Sequence, residues 1–162
     1  MKNTFIVGAL GAFVLLVALA FVFGSDRSGP EENQKLSGGQ EKIEVVMYKS
    51  PTCGCCGAYL SYLKAQNYSV ELREQNDLTD IKEQFGIPQD LLSCHTMLIG
   101  GYTIEGHVPE AAILKLLEEK PDIDGIALPG MPSGSPGMPG LMSDPLVIYS
   151  FKGGTVAEFM TL

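Results

Sequence analysis

Three of the chain's four cysteines fall within four positions of the stretch "YKSPTCGCCGAYL": Cys53, Cys55 and Cys56. The fourth, Cys94, directly precedes His95, and the only other histidine is His107. Thiolate sulfur is both a redox nucleophile and a soft-metal ligand, so this grouping points to disulfide chemistry or to metal binding. Cys53 and Cys56 stand in C-x-x-C spacing, which suits a redox pair, but a redox pair needs no third cysteine. Purely structural disulfides would oblige the adjacent Cys55 and Cys56 to find separate partners, in a domain large enough not to need staples. Among 162 residues there is no HExxH, no Gly-rich phosphate loop and no Ser-His-Asp set.

The elements that must position these residues can be read from hydrophobic patterning. "IEVVMY" (43–48) is a β-branched apolar run, hence a buried strand, and the cysteine loop follows it directly. "GAYLSYLKAQN" then places Tyr59, Leu60 and Leu63 on one helical face. C-x-x-C therefore lies where a strand ends and a helix begins, and the free N–H groups and positive end of the helix favour thiolate there. "YSVELRE" alternates as a second strand, and "LTDIKEQFG" spaces Leu78, Ile81 and Phe85 helically before the Gly86 stop. "TMLIGGYTIEG" is a hairpin about Gly100-Gly101. "PEAAILKLLEEKP" is a helix with Pro at its start and Ile113, Leu114 and Leu117 on one face. The predicted order is β-α-β-α-β-β-α. A final hairpin, "LVIYSF" and "TVAEFMTL" about Gly153-Gly154, closes the chain.

Between them lies "ALPGMPSGSPGMPGLMSDP", which holds five of the ten prolines and repeats PGMP at 129–132 and 136–139. Such a segment cannot be helix or central strand. Its Met131 and Met138 either pack the loop onto the core or offer thioethers as a lid over the cysteines. Met47 and Met97, within predicted strands, read as core. His107, just ahead of Pro109, suits the N′ or N-cap position of the last helix, or a metal contact.

The N-terminus carries a different signal. Residues 5–23 contain no charge, and this run of 19 residues approaches the ~20 needed to span a bilayer. The flank "FVFGSDRSG" is a poor cleavage site, so residues 1–24 are expected to be an uncleaved anchor that exports the rest, with a cleaved signal and a secreted protein as the alternative. Residues 25–41 are polar and aperiodic, a flexible linker, and the folded metal-binding domain is expected over 42–162. The net charge of −8 argues against a nucleic-acid partner, because phosphate binding needs a basic face. In an oxidising exported compartment, thiols oxidise unless something such as a metal holds them.

The stretch "VVMYKSPTCGCCGAYL" resembles the active-site strand and loop of the thioredoxin and glutaredoxin superfamily. Aligned on Ile99-Gly100-Gly101, that superfamily's substrate-docking cis-proline falls on His95, with Cys94 before it. Two potential metal ligands thus replace the docking proline, which disfavours ordinary disulfide exchange. A closer resemblance, carried by "SPTCGCCGAYL", "SCHTMLIGGYTIEGHVPEAAI" and "GIALPGMPSGSPGM", is to the CopG family of exported bacterial copper-resistance proteins. It implies a thioredoxin-like fold in which Cys53, Cys55, Cys56 and Cys94 bridge several Cu(I) ions, with His95 and, less directly, His107, Met131 and Met138 in the surroundings. Soft Cu(I) prefers thiolate, then thioether and imidazole. A bridging thiolate serves two ions at once, which gives Cys55 a purpose.

The expectation is therefore a copper-binding protein of copper resistance or homeostasis, with copper donor or acceptor proteins as partners. An oxidoreductase role, cycling copper or thiols, would use Cys53 and Cys56 as its redox pair. The alternatives are a thiol–disulfide oxidoreductase of thioredoxin-like type, and a zinc or iron–sulfur module. The last two need four ligands about one centre, which the crowding of C-x-C-C makes awkward.

Overall fold

The computed structural model describes residues 41–162. The expected anchor (1–24) and all but the last residue of the expected linker (25–41) lie outside the described residues. No helix among the described residues is long and apolar enough to cross a membrane.

The elements run β1 (Ile43–Lys49), α1 (Gly54–Ala65), β2 (Tyr68–Glu74), α2 (Thr79–Gln84), β3 (His95–Ile99), β4 (Tyr102–Glu105), α3 (Glu110–Glu119), β5 (Gly125–Ala127), β6 (Val147–Lys152) and β7 (Thr155–Thr161). A 3₁₀ turn, Gln89–Leu91, precedes β3. The described strands form one mixed sheet in the order β2-β1-β3-β4-β5-β6-β7. The pairs β1–β2 and β4–β5 are parallel and are joined through α1 and α3; the remaining pairs are antiparallel.

The period-2 alternation of the strands divides the sheet into two faces. Met47, Met97, Ile104 and Ile126 lie in register across four strands and share one core with Tyr59 and Leu63 of α1 and Ala112, Ile113 and Leu116 of α3. Each large apolar side chain buried there contributes roughly 1.5–3 kcal/mol, which fixes both helices against this face. The opposite face carries Tyr48, Thr96, Glu105, Ala127 and Tyr149 in register. There Phe85, the C-cap of α2, and Ile87 and Leu91, from the chain after it, cover Ala127 and Phe151.

The structure departs from the sequence reading in three places. Strand β5 was not expected: it is only three residues long, yet all are buried between β4 and β6. The inward stripe of α3 is Ala112, Ile113 and Leu116, with Leu117 only partly buried and Leu114 45 % exposed. And Pro109 is itself the N-cap of α3, so His107 stands two residues upstream of the cap.

Candidate metal centre

Strand β1 ends at Lys49 and the chain turns through Pro51 and Thr52 into α1. Cys53 caps the helix: its sulfur accepts from the Cys56 N–H at 3.4 Å. Cys55 and Cys56 then occupy the first helical turn. A disulfide joins Cys53 and Cys56, with Cα atoms 5.4 Å apart, while Cys55 and Cys94 are free. Cys55 Sγ lies 3.5 Å from Cys53 Sγ, and Cys56 Sγ lies 3.8 Å from the Cys94 carbonyl.

The antiparallel pairing of β1 with β3 sets His95 opposite Lys49, so the Cys94-His95 dipeptide meets the cysteine loop at the same end of the sheet. Beyond β4, Gly106 turns the chain back toward that end. At its φ of +80°, a Cβ would lie 2.5 Å from the Leu128 carbonyl oxygen and 2.6 Å from Ser93 Oγ, so only glycine fits. His107 follows and points its Nε2 at Cys94 Sγ, 3.0 Å away. Its Nδ1–H donates to the Pro136 carbonyl at 2.7 Å. A carbonyl can only accept, so the proton is on Nδ1 and the Nε2 lone pair is presented to the sulfur. A backbone carbonyl behind a ligating histidine is a usual support of metal sites.

His95 is fully buried, with Nδ1 3.3 Å from Cys94 Sγ and Nε2 without a hydrogen-bond partner. Tyr59 underlies both imidazoles, with ring centroids 4.8 Å from His95 and 5.1 Å from His107, and its hydroxyl donates to the Val108 carbonyl at 2.7 Å. The Pro-Gly-Met segment forms neither helix nor strand and folds over this assembly. Ser93 Oγ–H holds it at the Gly130 carbonyl, 2.6 Å, and Gly137 sits so close to α1 that a Cβ would lie 2.6 Å from the Tyr59 nitrogen. Met131 Sδ reaches 3.8 Å from Cys55 Sγ, at the exposed mouth. Met138 is half-buried in the same segment, and no contact to the cysteines is seen for it.

Two four-donor groups result. The sulfurs of Cys53, Cys55, Cys56 and Cys94 lie within 4.8 Å of one another, and so do donor atoms of Cys56, Cys94, His95 and His107. The groups share Cys56 and Cys94. The first opens toward solvent at Cys53 and Cys55; the second runs inward to buried His95 and His107. The structure thus brings together the four cysteines and two histidines singled out from the sequence, with Met131 beside Cys55. Tyr59, read from the sequence as part of a helix face, packs against both imidazoles; Glu105, a support described below, was missed.

Electrostatics keep the inner donors free of charge. Burial, with neighbouring His107 and Lys82 adding to it, holds the His95 imidazole well below its ordinary value of 6.5. Burial also lowers His107, against the Pro136 hydrogen bond, which raises it. Burial and the adjacent Cys55 push the Cys94 thiol up to about 12. Both imidazoles therefore offer lone pairs at neutral pH, whereas Cys94 keeps its proton until a cation displaces it. The histidine shifts also bear on stability. Unfolded imidazoles gain protons near pH 6.5 while the folded ones do not, so their contribution is full above that pH and is lost as pH falls below it. The thermal midpoint of the metal-free chain should thus drop between pH 7 and pH 5, and His95→Leu should flatten that limb. An unchanged acid limb in the variant would show that another group is responsible.

These features define a mixed α/β domain with a cysteine–histidine donor set, rich in soft sulfur, at one end of its sheet. The family described as "Protein of unknown function, DUF411" matches residues 91–138, which include Cys94, His95, His107, Met131 and Met138. A solved structure titled "Copper resistance protein copG- Form 2" is 35 % identical, with a TM-score of 0.70, covering 75 % of this chain and 99 % of its own. "Copper resistance protein copG- Form 1" is also 35 % identical, with a TM-score of 0.69, covering 75 % and 98 %. A search of curated proteins finds no match. The chain belongs to the CopG family.

Proposed function

We propose that this protein holds copper as Cu(I) in a cysteine-bridged, multinuclear site, within a thioredoxin-like domain exported and tethered to the inner membrane by residues 1–24. Its role is copper handling in resistance or homeostasis, taking the ion from, or passing it to, other copper proteins. The observation that carries this reading is the pair of four-donor groups sharing Cys56 and Cys94. Shared thiolates suit bridging, and Cu(I) is a soft ion that favours sulfur and accepts imidazole. The buried, unpartnered Nε2 of His95 is consistent with a ring awaiting a partner, since an unsatisfied buried nitrogen is costly. The family relationship to proteins titled for copper resistance supports the identity of the metal. Cys53, Cys55, Cys56 and Cys94 would hold the ions, His95 and His107 would complete the inner side, and Met131 would offer a thioether at the mouth. No observation draws Met138 to the ions.

The test is anaerobic titration of the fully reduced chain with Cu(I), with Zn(II) in parallel. More than one Cu(I) per chain, with sulfur-dominated copper X-ray absorption, is expected. One ion or none removes the cluster, and tighter filling by Zn(II) would favour a Cys₂His₂ zinc site formed by the inner group. Membrane fractionation checks the tether: a soluble, N-terminally shortened chain would mean a cleaved signal.

A second reading is favoured by the closed Cys53–Cys56 disulfide. The same pair could accept two electrons from a partner dithiol, opening to two thiols as the partner closes its own disulfide. Exchange with a small disulfide by the reduced, copper-free chain, lost in Cys53→Ser, is the expected sign of that activity.

A further inference from the structure

The carboxylate of Glu105 is buried in the sheet and reached from three elements. Its Oε1 accepts from the Ser93 N–H at 2.6 Å and from Lys82 Nζ of α2, and its Oε2 accepts from Thr96 Oγ1–H at 2.6 Å. Lys82 also donates to Thr96 Oγ1 at 3.1 Å. Glu105 is 0 % exposed, and every group touching it is a donor, the pattern a carboxylate satisfies as acceptor only. Its place follows from strand parity. Glu105 pairs with Thr96 on the α2 face, whereas Ile104 and Met97 face α1. His95, two residues before Met97, faces α1 as well and lies against Tyr59.

Ser93 and Thr96 are the residues on either side of Cys94-His95. One carboxylate thus pins both ends of the dipeptide that supplies a sulfur to each four-donor group and an imidazole to the inner one. Ser93 carries the restraint further, because its hydroxyl holds Gly130, the neighbour of Met131. A buried ion pair is a poor way to stabilise a core, since an apolar pair of similar volume often does as well or better. What it supplies is fixed geometry.

We infer that Glu105 is a positioning residue: held by Lys82, it sets the direction of Cys94 and His95 toward the cysteine loop from the opposite face of the sheet. This deepens the metal-binding reading above and rests on it for its functional meaning, but the positioning itself can be read without metal.

The test compares Glu105→Gln and Glu105→Asp with Leu116→Ala, a core variant in α3 away from the site, all as full-length reduced chains in detergent. Asp keeps the charge opposite Lys82 but withdraws the carboxylate by one carbon–carbon bond, about 1.5 Å. In the metal-free chain, the Ser93 amide should lose hydrogen-exchange protection and alkylation of Cys94 should change rate in both Glu105 variants, not in Leu116→Ala. Under a competing Cu(I) chelator, both should bind about 10–100-fold more weakly, with an altered copper–thiolate absorption band. Leu116→Ala should lower the thermal midpoint and leave affinity and band unchanged. If Glu105→Gln fails to fold, Glu105→Asp carries the comparison. Wild-type exchange, alkylation, affinity and band in the Glu105 variants would overturn the assignment, as would equal effects in Leu116→Ala. Failure of the wild-type chain to take Cu(I) would instead remove the copper reading, and the exchange and alkylation results would still decide the positioning role.

Discussion

Cys94→Ser should abolish tight Cu(I) binding, while Cys55→Ser should leave one ion bound per chain. The difference follows from membership in the two donor groups. Cys55 belongs only to the outer, all-sulfur group, so its loss leaves Cys56, Cys94, His95 and His107 complete. Cys94 belongs to both, and Cys56→Ser should behave as Cys94→Ser does for the same reason. Losing even an outer partner of a ligand weakens a metal site about 10–100-fold, and losing a shared thiolate should exceed that. Serine is nearly isosteric and both side chains are partly exposed, so circular dichroism should report an unchanged fold. Chelator competition with copper counting by mass spectrometry reads the outcome. If Cys55→Ser loads as the wild type does, the third cysteine has no role in bridging; if Cys94→Ser still binds tightly, the two groups do not share it.

The second large effect concerns the disulfide. With Cys53 and Cys56 joined, two of the four sulfurs are no longer thiolates, and neither four-donor group is complete. The oxidised chain should therefore take up no more than half the copper of the reduced chain, and mild reductant should restore the rest. Linkage makes the same effect measurable as a potential. Cu(I) that binds only the dithiol form stabilises it, so the disulfide midpoint should become more positive by about 30 mV for each tenfold in free Cu(I) above its dissociation constant, per ion bound. Equilibration in glutathione buffers, with thiol trapping at fixed free Cu(I), gives that slope. A midpoint indifferent to copper would mean that Cys53 and Cys56 are not ligands, and would leave them as a redox pair alone.

How much of this could be read from the residues depends on how local each signal is. The strand–cysteine loop–helix unit was legible because a β-branched run, C-x-x-C and a helical face follow one another without interruption. Both hairpins were legible from their Gly-Gly turns, and the resemblance to the thioredoxin and glutaredoxin superfamily, aligned on Ile99-Gly100-Gly101, set Cys94-His95 opposite the loop. Strand β5 was not, because three residues have no period of their own; its Gly125 is required because a Cβ would lie 2.1 Å from the Thr103 carbonyl oxygen, a contact visible only in the fold. Leu114 misled because a run of Ile-Leu-Lys-Leu-Leu allows more than one helical phase, and packing against the sheet chose the phase with Leu116 inward. Glu105 left a faint trace, an acid in a strand beside apolar Ile104. Its meaning needs Lys82, 23 positions away in the chain, and Ser93, 12 away. The tautomer of His107 likewise rests on a carbonyl 29 positions away, in a segment without regular structure.

That last contact bears on which sequence changes the site tolerates. The acceptor that fixes the His107 proton is main-chain, and every residue type possesses one. Point substitution at Pro136 can shift this carbonyl but cannot delete it, so the imidazole's orientation is robust to mutation in a way that a side-chain acceptor would not be. Vulnerability moves instead from residue identity to spacing. The segment is fastened at Gly130 by Ser93 and at Gly137 by its seat on Tyr59, with Pro136 between them. One residue added or removed between those fastenings would carry the carbonyl out of reach. A further seat lies at Gly134, where a Cβ would lie 2.4 Å from the Met142 nitrogen, so the same constraint of spacing extends past Gly140.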